Sequence, residues 1–85
     1  MRISKQYYEE CSERFKKMDD DQLIDAFNNE VGNSGWTRSR ASYLTALHKE
    51  FDNRGYDYSD IGDKLSFSVK NKIKIMEKKV LKKMT

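Results

Sequence analysis

Cys11 and His48 are the only thiol and the only imidazole in the chain, and a Cys–His pair assembled in space is a nucleophile with its general base. The surrounding residues argue for a blander use. Cys11 falls in the series Tyr7, Tyr8, Cys11, Phe15, Met18, whose three- and four-residue steps are the stripe of an amphipathic helix. On such a stripe a thiol is ordinarily a small hydrophobe. His48 lies beside the stripe of a later helix. There is no glycine-rich phosphate loop, no zinc-ligand spacing and no serine elbow. The expectation is a protein that is not an enzyme and holds no cofactor.

Metal chemistry has one candidate. Asp57, Asp60 and Asp63 sit on a turn-rich stretch, YDYSDIGD, in which Gly62 permits a sharp bend. Calcium favours several carboxylates on one loop, but an EF-hand places them at alternate positions and these are three apart. Turn and cap chemistry accounts for Asp and Ser here, as it does for the acids of MDDDQ at residues 18–22. No metal site is expected.

Binding chemistry is better represented. Residues 70–83 carry Lys70, Lys72, Lys74, Lys78, Lys79, Lys82 and Lys83, laced with Ile, Met, Val and Leu. Such a segment can bind phosphates in a salt-sensitive, sequence-independent way, dock a protein, or be a solvated face. Lysine rather than arginine dominates, which disfavours bidentate reading of bases. Trp36 follows a glycine-containing loop, and Tyr56 and Tyr58 flank Asp57, with at least one of the two tyrosines expected to be exposed. Exposed aromatics anchor interfaces or stack on bases; the other reading of Trp36 is a staple or core position ahead of the third helix. Arg38 and Arg40 open a helix, against the sense of its dipole. They either grip a partner's anionic group or pair with an acid of the preceding helix, such as Asp25 or Glu30. Trp36, Arg38, Arg40, Tyr56, Tyr58 and the seven lysines are the candidate partner-binding residues.

The elements that position these groups follow from periodicity and punctuation. A first helix is expected over residues 4–18, with Ser4 as N-cap. A second, over about 20–31, has the clearest start: Asp19 and Gln22 form a capping box, Met18 and Leu23 a hydrophobic staple, and Asp20 and Asp21 occupy the first turn. Its apolar face is Leu23, Ile24, Phe27 and Val31, and Gly32 ends it. Thr37 caps a third helix, reaching about Arg54, that buries Tyr43, Leu44, Leu47 and Phe51, and Gly55 closes it. Ser59 caps a single turn ended by Gly62.

The last segment reads two ways. As a helix, Leu65, Val69, Ile73, Met76, Val80 and Met84 share a stripe. As a hairpin turning at Glu77-Lys78, it puts Leu65, Phe67, Val69, Ile73, Ile75, Val80 and Met84 on one face, but the turn lacks the Gly, Asn or Asp that tight hairpins want. The expected class is therefore mainly α: a small domain of three short helices plus a basic C-terminal element at 64–85, which is either an amphipathic helix or a β-hairpin that makes the fold α+β.

At 85 residues the chain is one domain, 1–85, and with 36% apolar, 36% charged and 12% aromatic residues it builds a thin, aromatic-rich core. The net charge of +3 conceals a split: residues 1–63 hold nine Lys/Arg against thirteen Asp/Glu, and residues 64–85 hold eight lysines against Glu77 alone. A lone cysteine, no apolar run long enough to span a bilayer and no apolar stretch behind the N-terminus suggest a cytoplasmic protein. The functional expectation is a small protein–protein interaction module, regulatory or inhibitory and of bacterial or phage type, that binds a protein partner or a second copy of itself. The alternative is a nucleic-acid-binding protein that uses the lysine-rich segment. Membrane binding is not expected.

Overall fold

Three helices and a C-terminal hairpin make up the architecture of the chain, described here from a computed structural model over residues 5–32, 38–63 and 67–84. The helices are α1 (Lys5–Lys16), α2 (Asp20–Asn28) and α3 (Arg38–Asn53), and the strands are β1 (Ile73–Ile75) and β2 (Leu81–Lys83). The basic segment is therefore the hairpin, not the helix. Ser4 and Thr37, the expected caps of α1 and α3, and Leu65 lie outside the described residues.

Helix α1 buries Cys11 and Phe15 and packs along α3, where Phe15 meets Tyr43 edge-on with ring centroids 5.1 Å apart. Helix α2 begins as its sequence dictates. The Asp19 carboxylate accepts the Gln22 N–H at 2.8 Å, and the Gln22 side chain accepts the Asp19 N–H at 3.0 Å. The helix ends three residues earlier than its apolar pattern suggests. Past Asn28 the backbone tightens to bonds reaching three residues back, Glu30 N–H to Phe27 O and Val31 N–H to Asn28 O, before Gly32 turns left-handed at φ +84°.

Helix α3 stops in a Schellman motif. Gly55, at φ +74°, donates to Asp52 O, and Tyr56 donates to Phe51 O. The accompanying contact of the motif is aromatic: the Tyr56 and Phe51 rings lie 5.3 Å apart. This geometry turns the chain back so that Tyr56, Tyr58 and Ile61 enter the core. The tyrosines correct the expectation that one would be exposed: both are buried, at 4% and 7% exposure. Ser59 does not cap the next turn. Its N–H and its hydroxyl both donate to the Asp57 carboxylate, so Asp57 organises the bend.

The core runs from α1 through α2 and α3 to the hairpin: Phe15, Leu23, Phe27, Leu47, Phe51, Ile73, Leu81 and Cys11 are fully buried. Phe67 is half-buried and lies edge-on to Phe27 and Phe51, at 5.3 and 5.7 Å. Ile73 and Leu81 tie the hairpin to this core, each contributing about 1.5–3 kcal/mol by burial.

The hairpin turns where expected but in a different register. Met76 N–H bonds Val80 O at 2.7 Å, leaving Glu77–Lys79 as a three-residue loop, and the strand pairs are Ile75 with Leu81, Lys74 with Lys82 and Ile73 with Lys83. A two-residue turn at Glu77-Lys78 would have matched Ile75 with Val80. The extra residue shifts every position on the second strand to the opposite face. Leu81 therefore goes in, while Val80 is half-buried and Met84 faces out. In place of glycine, Lys78 and Lys79 both adopt φ +60°, a left-handed conformation that L-residues resist.

Side chains and a neighbouring loop close the edges of the two-stranded sheet. The Asn28 amide bonds both Ile73 O (2.9 Å) and Ile73 N–H (2.8 Å), as a neighbouring strand would. On the other edge the Asp57 backbone exchanges bonds with Lys79 O and Leu81 N–H, and the Asp60 carboxylate accepts the Lys83 N–H at 2.9 Å. No helix among the described residues is long and apolar enough to cross a membrane.

Candidate partner-binding face

The residues with potential reactivity are engaged separately. Cys11 is fully buried, and burial pushes its thiol pKa up, partly offset by a hydrogen bond with Tyr7, so it lacks the depressed pKa of an activated nucleophile. His48 instead places Nε2 2.8 Å from Asp63 O, with its ring against Tyr58 and Phe67. Of the three loop aspartates, Asp57 serves Ser59, Asp60 serves the Lys83 backbone, and Asp63 contributes its backbone oxygen to His48. Among the described residues no group of three or more His, Cys, Asp or Glu could hold a metal ion.

Arg40 pairs with Glu30, just past α2, at 3.1 Å, and also reaches Glu30 O at 3.3 Å. This satisfies the intramolecular reading of its placement. Trp36 lies outside the described residues, as does the side chain of Arg38. Tyr56 and Tyr58 are spent in the interior: the Tyr56 hydroxyl donates to Asp20, and the Tyr58 hydroxyl lies 3.3 Å from Asp52. Desolvation and the bond to Asp20 push the Tyr56 pKa up to about 12. The same hydroxyl, with Arg54 behind it, holds the Asp20 carboxyl below its ordinary range.

A polar hub that no sequence motif announces centres on Arg54. Its Nε bonds Glu50 at 2.8 Å and one terminal nitrogen bonds Asp20 at 3.1 Å. The other terminal nitrogen bonds Phe15 O and Met18 O, at 2.8 and 2.6 Å. One guanidinium thus caps the end of α1, holds the start of α2 and neutralises Glu50, whose side chain is only 7% exposed. Lys79 Nζ donates to Arg54 O at 3.2 Å, joining the hairpin loop to this hub.

The remaining candidates are exposed. Lys70, Lys72, Lys74, Lys78, Lys79, Lys82 and Lys83 are all exposed. Strand alternation sorts them. Ile73, Ile75, Leu81 and Lys83 lie on the inner face. The outer face carries Lys72 beside Met84, Lys74 opposite Lys82, and Met76 beside Val80. Met76 and Met84, at 47% and 50% exposure, are the large hydrophobic residues most open to solvent among those described. Like charges directly opposite on a sheet destabilise it, and here they sit between two exposed methionines. The sequence singled out these lysines; it did not reveal the methionines as their neighbours, because that depends on the three-residue loop.

No family model matches the chain, and no match was found among the curated proteins or the solved structures.

Proposed function

We propose that this protein is a small, non-catalytic interaction module that docks a protein partner on the outer face of its C-terminal hairpin and regulates that partner by occupying its surface. The observation that carries this reading is the register: Lys74 faces Lys82 between the exposed Met76 and Met84. A like-charged cross-strand pair works against isolated stability, and two half-exposed thioethers leave apolar area open to cover. Both become favourable when an acidic surface with apolar anchors covers them, since lysines supply charge complementarity and methionines adaptable contact.

Nucleic acid is the second reading, supported by the same exposed lysines. Tyr56 and Tyr58, offered by the sequence as interface anchors or stacking platforms, serve neither reading, because both are buried. The test compares partners co-purified by the wild-type chain and by K74E/K82E. A protein retained by the first and released by the second supports the proposal, whereas identical partners with both overturn it. Retention on duplex or single-stranded nucleic acid at moderate salt, lost in K74E/K82E, would favour the second reading instead.

A further inference from the structure

We infer that the occupant of the hairpin's outer face is an acidic amphipathic helix of the partner, with carboxylates midway between two apolar residues about seven positions apart; this rests on the docking role proposed above. The edges of the sheet limit how anything can bind. Asn28 occupies Ile73 on one side, and Asp57 and Asp60 occupy Leu81 and Lys83 on the other, so an incoming strand finds these backbone groups taken and the partner must lie on the face. An extended peptide laid across a face leaves its own N–H and C=O groups without partners there, whereas a helix satisfies them internally.

The face has a readable pattern. One end carries Met84, paired with Lys72. The middle carries Lys74 and Lys82. The other end carries Met76, paired with Val80. From residue 72 to residue 76 the strand advances about 14 Å. On a helix, side chains seven residues apart lie on one face about 10.5 Å apart, and flexible methionines span the difference. Positions three and four residues into that interval fall over Lys74 and Lys82, where carboxylates would relieve their mutual repulsion. A second copy docked symmetrically through this face would instead set the lysine pair against itself.

The probe is a synthetic helical peptide of about 16 residues with two leucines seven apart and glutamates at the two central positions, titrated into the ¹⁵N-labelled full chain. The expected shifts cluster on Lys72, Lys74, Met76, Lys82 and Met84. Replacing the glutamates by glutamine is expected to weaken binding at least about tenfold, and moving the leucines to five apart at least about threefold. Affinity that follows peptide charge alone, indifferent to leucine spacing, overturns the helix inference. So does the absence of any binding while K74E/K82E still releases a co-purified protein, a result that leaves the docking role standing. If neither the peptide nor any protein responds to K74E/K82E, the docking role itself fails. A DNA oligonucleotide that binds this face more tightly than the peptide also overturns the inference, as does concentration-dependent self-association through the exposed Glu9, Glu10 and Glu13 of α1.

Discussion

Replacing Arg54 by alanine tests the polar hub that joins the three helices. The guanidinium makes four bonds: to Glu50, to Asp20, and to the carbonyls of Phe15 and Met18. The Asp20 pair is half open to water, with that side chain 47% exposed, and adds little. The Glu50 pair is different, with side chains 16% and 7% exposed. Removing one partner of a buried pair leaves a charge without compensation and typically costs about 3–5 kcal/mol. Losing the cap on α1 falls within that range, because the terms overlap. An 85-residue domain has a total stability of about 4–13 kcal/mol, so R54A should sacrifice a large part of it and lower Tm by at least about 12 °C. Urea titration followed by far-UV circular dichroism measures the change. R54K retains charge but cannot reach all four acceptors, so it should lose about half as much. R54M/E50L removes the stranded charge and should be at least about 1 kcal/mol more stable than R54A. An R54A protein within about 1 kcal/mol of wild type would refute the clamp.

Three further predictions follow from the same geometry. Asn28→Ala removes both bonds to Ile73 and should cost about 1–3 kcal/mol, with faster amide exchange in β1 than in α3. Lys78→Gly relieves the φ +60° conformation and should stabilise the protein by about 0.5–1 kcal/mol after glycine's own entropy; a loss in a thermal melt would contradict it. The Tyr56–Asp20 pair sets opposite pH limits. The folded-state pKa of Asp20 is lowered, chiefly by the Tyr56 hydroxyl, so its contribution is present above about pH 4 and is lost as pH falls through the lowered value. The pKa of Tyr56 is raised from 10.0 to about 12, so its contribution is present below its ordinary pKa and fades as pH climbs between those two values. Stability curves for wild type and D20N should diverge most at neutral pH and converge in acid.

What could be read from the sequence was what neighbouring residues decide. The capping box at Asp19 and Gln22, the Cys11–Phe15 stripe and the Gly55 terminator are local signals, and each stands where expected. The choice between helix and hairpin for residues 70–84 was not local. Lysine and methionine favour helix, and the hairpin is settled by Ile73 and Leu81 entering a core formed by distant residues. Register was hidden for a related reason: two left-handed lysines stand where glycine or asparagine would have announced the turn. Arg54 reads as one more surface charge because its four acceptors are supplied by three helices and the link between the first two. The tyrosines misled because a turn-like sequence suggests exposure, whereas the Schellman turn at Gly55 aims them inward. At the candidate face the lysines were legible and the exposed methionines beside them were not.

The most direct test of the account is calorimetric titration of a co-purified partner against wild-type protein, K74E/K82E and M76S/M84S, each first shown to melt as wild type does. Both variants are expected to bind at least about tenfold more weakly, which is a loss of about 1.4 kcal/mol. Equal affinity for all three proteins would contradict it and remove the hairpin face from the function.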